Sequence, residues 1–106
     1  MVHRRHSLLV DHRERCSPLA GRLAGDPAWS VAFAHLETGD YLIDDRILIE
    51  RKTLRDLAES IKDGRLFRQT LRLASVVKRR SFASASTWVC ALLIDCLLYT
   101  SPSPRD

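Results

Sequence analysis

The chain has 106 residues, 45% of them apolar and 28% charged, which suits one small globular domain and excludes an intrinsically disordered polymer. Its formal net charge of +4, from 17 Lys and Arg against 13 Asp and Glu, is compatible with a nucleic-acid partner but does not require one. No apolar run reaches the roughly 18 residues of a membrane span, and three cysteines without ligand spacing (Cys16, Cys90, Cys96) read as reduced thiols of a cytoplasmic protein.

Met1 to His6 is basic, but only Leu8, Leu9 and Val10 follow as an apolar run, so no signal peptide is expected. Ser7 to Asp11 reads as a buried strand ending in an acid. Ser17 and Pro18 form a helix start, since Ser can cap and Pro suits the first helical position. That helix should cover Leu19 to Leu23 and end near Gly25. Trp29, Val31 and Phe33 alternate with smaller residues, as in a second strand.

Gly39 to Lys52 reads as a hairpin. Its arms are Tyr41 to Ile43 and Ile47 onward, and Asp44-Asp45-Arg46 is the turn. Both faces of both arms are apolar, which predicts an interior hairpin covered on two sides. Thr53 and Asp56 have the spacing of a helix cap and its third residue. The helix they open carries Leu54, Leu57, Ala58 and Ile61 as its apolar stripe and ends at Gly64. A second amphipathic helix should run from Arg65 to about Arg80. Leu66, Phe67, Leu71, Leu73, Ala74 and Val77 share one side; Arg65, Arg68, Arg72 and Arg79 share the other. Ser81 to Ser86 reads as a linker. Trp88 to Ile94 reads as a last strand, placed next to the first. The order strand, helix, strand, hairpin, two helices, strand predicts a mixed α/β layered domain.

The last eleven residues, Cys96 to Asp106, differ from the rest. Ser101-Pro102-Ser103-Pro104 cannot extend a strand or a helix. The string also looks like a translated sequencing adapter. The expectation is a domain over 1–95, truncated at its C-terminal end, and a non-native tail over 96–106.

Asp11, Glu14, Asp40 and Glu50 are the acids of interest, with Lys52 two residues after Glu50. Side chains alternate along a strand, so Glu50 and Lys52 share a face. If Ile43 faces Ile47, Asp40 lies opposite Glu50, with Cβ atoms about 4.5–5.5 Å apart. Two carboxylates that close repel unless a cation lies between them. Hard oxygen donors suit Mg²⁺ or Mn²⁺, and Asp11 could supply a third ligand. Such an ion would lower the pKa of a bound water and polarise a phosphodiester, with Lys52 as a further positive charge. The catalytic candidates are therefore Asp11, Asp40, Glu50 and Lys52.

These residues also carry a resemblance. Val10-Asp11-His12-Arg13-Glu14 looks like the V-D-x-R-E element of the XPF/Mus structure-specific endonucleases. Gly39-Asp40, Glu50-Arg51-Lys52 and Asp56 match that family's G-D-x(n)-E-R-K-x-x-x-D signature. Ser60-Ile61-Lys62-Asp63-Gly64-Arg65-Leu66-Phe67-Arg68-Gln69 is similar to its downstream S-I-x-D-G-R-x-x-x-Q block. The resemblance covers Leu8 to Leu73 and continues more weakly over Trp88 to Asp95. It implies a restriction-endonuclease-like fold with a mixed central sheet flanked by helices. It also implies Mg²⁺- or Mn²⁺-dependent cleavage of branched DNA such as flaps and forks, in repair or recombination, by a homo- or heterodimer. A compact start of this kind looks like prokaryotic members, with a cytoplasmic, nucleoid-associated location.

Supporting roles fall to Arg13, Glu14, Arg51, Asp56 and Gln69, several with two readings. Arg13 and Glu14 line the site or belong to a solvated loop. Arg51 makes an ion pair, with Asp56 as a partner, or touches a phosphate. Asp56 caps its helix or joins the catalytic set. Arg65, Arg68 and Arg72 are candidates for DNA contact or simply form a solvated face. The competing functions are a non-catalytic DNA-binding or dimerisation scaffold and a nuclease of ordinary duplex.

Overall fold

The first strand, β1 (His6–Asp11), sits inside the sheet, with a neighbour on each side. In the computed structural model, which describes residues 4–95, it is followed by a 3-10 turn, His12–Glu14, and by α1 (Pro18–Ala24). Ser17 caps α1 as its sequence suggests: Oγ accepts from the Ala20 amide. Next come β2 (Trp29–Ala34), β3 (Tyr41–Ile43) and β4 (Ile47–Thr53). The chain then forms α2 (Leu54–Lys62), α3 (Arg65–Ser84) and β5 (Val89–Asp95). The expected tail, 96–106, lies outside the described residues.

The strand order is β2-β1-β3-β4-β5. β1 pairs parallel with β2 and antiparallel with β3; β4 pairs antiparallel with β3 and parallel with β5. The last strand therefore lies beside β4, not beside β1 as expected. Both edges of β1 are already taken, whereas β4 has one free. The two helices between β4 and β5 form the long crossover that a parallel pair requires.

Alternation along the strands splits the core between the two faces. Leu8, Val10 and Tyr41 face α1 and pack with its Ala20. Leu42 and Leu48 face α3 and pack with its Leu73 and Val76. This explains why both hairpin arms are apolar throughout. The turn between them has positive φ at Asp44 (50°) and Asp45 (62°), and the Arg46 amide closes it on the Ile43 carbonyl.

Both helices are rotated from the faces that their apolar residues suggest. Of the α2 stripe, only Leu57 is half-buried; Leu54, Ala58 and Ile61 are exposed, and Ser60 is the residue turned fully inward. On α3, Leu73 and Val76 are buried, whereas Phe67 and Leu71 are 69% and 54% exposed and Ala74 is exposed too. Leaving a side chain such as Ile61 in water forgoes roughly 1.5–3 kcal/mol. Burying an ammonium without an acceptor costs several. Lys52 of β4 lies under α2 and bonds Ser60, so the polar requirement sets the rotation of that helix.

The expected linker from Ser81 is also helical as far as Ser84. Its small residues include no Gly or Pro to end a helix, and the Ser84 hydroxyl donates back to the Arg80 carbonyl. The helix stops at Ala85, which is held at φ 57°. That left-handed conformation is one that glycine adopts without strain. Ala85→Gly is expected to stabilise the domain by about 1 kcal/mol, measured as a higher urea midpoint. Among the described residues no helix is long and apolar enough to cross a membrane.

Candidate active site

β1 and β4 both run antiparallel to β3, so their C-terminal ends meet the start of β3 at one edge of the sheet. Asp11, Asp40, Glu50 and Lys52 therefore come from three adjacent strands to one place. The 3-10 turn adds Arg13 and Glu14 beside them.

The hairpin register is the one expected: Ile43 pairs with Ile47, Leu42 with Leu48 and Tyr41 with Ile49. The next pair departs from it. The Asp40 amide donates to the Ile49 carbonyl at 2.7 Å instead of that of Glu50, and Asp40 Oδ2 accepts from the Arg51 amide at 2.8 Å. Asp40 and Glu50 are thus neighbours but not a regular cross-strand pair. Gly39, at φ 87°, turns the chain here. A Cβ at this position would lie 2.8 Å from Leu48 Cδ1. Gly39→Ala is expected to cost about 2 kcal/mol or more from the left-handed backbone and that collision. A lower urea midpoint would show it.

Asp40 is buried and Glu50 half-buried, and burial pushes both carboxyls above their ordinary values. The Asp40 charge raises Glu50 further, while Lys52, Arg13 and Arg72 pull it back. This is an electrostatic setting that a cation relieves. Among the described residues, however, no three His, Cys, Asp or Glu side chains are grouped to hold a metal ion. Asp11 is not brought in as a third ligand beside Asp40 and Glu50.

The Asp11 oxygens are already engaged. Oδ1 accepts from the Leu36 amide at 2.8 Å; Oδ2 accepts from the Arg13 amide and from Arg13 Nε. Burial alone would raise this carboxyl, but these donors hold it at about 2. Arg13 also donates to the Gly39 carbonyl at 3.2 Å and lies 3.6 Å from Asp40 Oδ1. Asp11 thus fixes an arginine against the entry to β3. A carboxyl depressed by folding stabilises above its unfolded value near 3.8 and loses that contribution as pH falls through about 2. Asp11→Asn is expected to flatten the acid limb of stability between about pH 4 and 2 by roughly 2 kcal/mol, followed by urea unfolding at each pH.

Arg51 and Glu14 resolve into a buried clamp. Arg51 Nε donates to Glu14 Oε1 at 2.8 Å, and Nη1 donates to Asp95 Oδ2 at 2.8 Å. The Tyr41 hydroxyl donates to the same Glu14 oxygen at 2.7 Å; burial and that bond push it up to about 12. Arg51 therefore pairs with Glu14 and Asp95, not with Asp56. Asp56 is exposed at the start of α2, and its amide bonds the Thr53 cap.

Lys52 Nζ donates to Ser60 Oγ at 3.1 Å under α2. On α3, Gln69 Oε1 is a buried oxygen without a hydrogen-bond partner among the described residues. Arg65 pairs with Asp63 at 3.1 Å. The charge of Arg72 reaches Glu50, whereas Arg68 is exposed at the surface of the helix. Sequence reasoning missed Tyr41, Ser60 and Asp95 as partners of this site. Ser60 had a signal, since it begins the third matched block; Tyr41 reads as plain core, and nothing marks Asp95.

Residues 10–102 match the ERCC4 domain family. The 3'-flap repair endonuclease Xpf of Saccharolobus solfataricus is 35% identical over 71 residues, which cover 67% of this chain and 30% of that protein. DNA repair protein rad16 of Schizosaccharomyces pombe is 42% identical over 62 residues, covering 58% of this chain and 7% of that protein. The structure of XPF from Aeropyrum pernix in complex with DNA superposes with a TM-score of 0.69 at 36% identity, covering 85% of this chain and 40% of that one. The chain thus spans less than half the length of each. The family match takes in every acid of the site, and the solved relative shares the fold around them: the chain belongs to the ERCC4 family of XPF-type nuclease domains, homologous to archaeal XPF and to eukaryotic XPF and rad16.

Proposed function

We propose that this domain hydrolyses phosphodiester bonds in DNA with the help of Mg²⁺ or Mn²⁺, and that it acts at branched sites such as flaps and forks. The observation that carries the reading is the pair of desolvated carboxylates, Asp40 and Glu50, at the meeting point of β3 and β4. Their hard oxygens suit these two ions. Asp40 Oδ2 accepts from the Arg51 amide, and Oδ1 lies 3.6 Å from Arg13 Nη2, which a metal ion at this oxygen would displace. Asp40 and Glu50 would hold such an ion, which would supply an activated water and a polarised phosphate.

The protein's own groups do the remainder. Arg51, through its amide, fixes the rotamer of Asp40. Asp11 orients Arg13, whose guanidinium lies at the edge of the site, within reach of an anionic substrate. Lys52 places a fixed positive charge near Glu50 and stabilises charge that develops on the phosphate. Arg72, with Arg65 and Arg68 on the same helix, offers a path for the DNA backbone. The flap named for the Saccharolobus relative supports the branched substrate. A homo- or heterodimer is the expected assembly.

The test is cleavage of end-labelled flap, fork and linear duplex with Mg²⁺, Mn²⁺ or EDTA, beside a Glu50→Ala control. Junction cutting that needs metal and Glu50 is the expected result. Equal cutting of all three would remove the branched preference. A folded protein that binds forks but cuts none would make this a scaffold domain.

A further inference from the structure

α2 turns one fully buried side chain toward the sheet, and that side chain is polar. Ser60 has no exposed surface, and its Oγ accepts from Lys52 Nζ at 3.1 Å. Lys52 is itself 5% exposed. Ser60 Oγ is the hydrogen-bond acceptor seen for Nζ among the described residues. The contact spans eight positions of sequence because α2 begins directly after β4 and folds back over it.

A lysine ammonium ends a flexible four-carbon stem and can point three donors in many directions. A serine hydroxyl on a rigid helix selects one of them. If α2 served only to cover β4, an apolar side chain at this depth would do so without a competing hydroxyl. Instead the helix leaves Ile61 and Leu54 in water and directs Ser60 to the amine. The same amine is one of the charges that hold Glu50 back toward its ordinary value, so it lies within electrostatic reach of that carboxylate.

We infer that Ser60 is a positioning residue for the hydrolysis proposed above: it holds the Lys52 ammonium beside Glu50 in the orientation that cleavage requires. The role rests on the nuclease reading, but the contact can be tested without it. Ser60→Ala keeps the helix and removes only the acceptor. Single-turnover cleavage of the preferred branched substrate should slow by about ten- to a hundred-fold, as for other small displacements of a catalytic group. DNA affinity in EDTA should be unchanged. Ser60→Thr keeps the hydroxyl and should recover most of the rate.

A second readout needs no activity. The chain has three lysines, and Lys62 and Lys78 are exposed. Under an amine-acylating reagent, followed by peptide mass spectrometry, Lys52 should be protected in the wild type. It should become reactive in Ser60→Ala, with labelling of Lys62 and Lys78 unchanged. Wild-type rate and labelling in Ser60→Ala would overturn the inference. So would weakened DNA binding together with raised labelling of Lys62, since that pattern reports loosening of α2. A wild type that cuts no substrate overturns the nuclease reading and the catalytic half of this inference, and the labelling then decides the contact alone.

Discussion

Glu50→Gln is expected to reduce cleavage by about a thousand-fold or more while making the metal-free protein more stable. Burial and the nearby Asp40 charge both raise the Glu50 carboxyl. A carboxyl raised by folding stabilises only while it is protonated. That contribution is complete below its unfolded value and is lost as pH rises through the folded one. At neutral pH the charged Glu50 therefore opposes folding, and a neutral amide of the same shape relieves that opposition. Divalent metal should reverse the order. An ion at a hundred times its dissociation constant adds about 2.7 kcal/mol to the state that binds it. Mn²⁺ should raise the unfolding temperature of the wild type and not that of Glu50→Gln. Equal stabilisation of both would separate the metal from this carboxylate.

Arg51→Met should have the largest effect on stability. The guanidinium is 20% exposed and ties Glu14 to Asp95, so its removal leaves the Glu14 carboxylate buried with, among the described residues, only the Tyr41 hydroxyl as a partner. Breaking one side of such a pair costs about 3–5 kcal/mol. Partial exposure places this case near the lower figure, which is still a large share of the stability of a small domain. Adding Glu14→Gln should restore part of the loss, because the unpaired charge is then gone. Urea unfolding of the two single variants and the double variant measures that coupling. A direct phosphate role for Arg51 predicts the opposite pattern: near wild-type stability and weakened DNA binding.

The fold was legible where local chemistry and burial agreed. Ser17 and Pro18 start α1, Thr53 caps α2, and the apolar arms from Tyr41 to Ile49 pair in the register that their spacing suggests. The sequence was least informative where a polar contact outweighs an apolar stripe. Ile61, Phe67 and Leu71 read as core by periodicity, yet all three are exposed, and Ser60 takes the inward position because it serves a buried amine. Strand order was also hidden, since nothing in Val89–Asp95 records that β1 has no free edge. At the site, types and spacing located the acids but not their division of labour. In sequence Asp11 looks like a further ligand and Glu14 like a residue that lines the site or a solvated loop; their oxygens are held by Leu36, Arg13, Tyr41 and Arg51. Arg13 lies two residues from Asp11, but the other three partners are 25 or more positions away and leave no local trace.

The same division has a consequence for the order of folding. Asp40 and Glu50 belong to one short hairpin, a unit that closes in about 1–10 μs. The clamp around them depends on β5, which pairs with β4 across about forty positions of chain, and closing so long a loop comes late and slowly. The two repelling carboxylates are thus brought together before the arginine clamp is locked by Asp95. A cation present during refolding should accelerate the hairpin step and leave the later β5 step nearly unchanged.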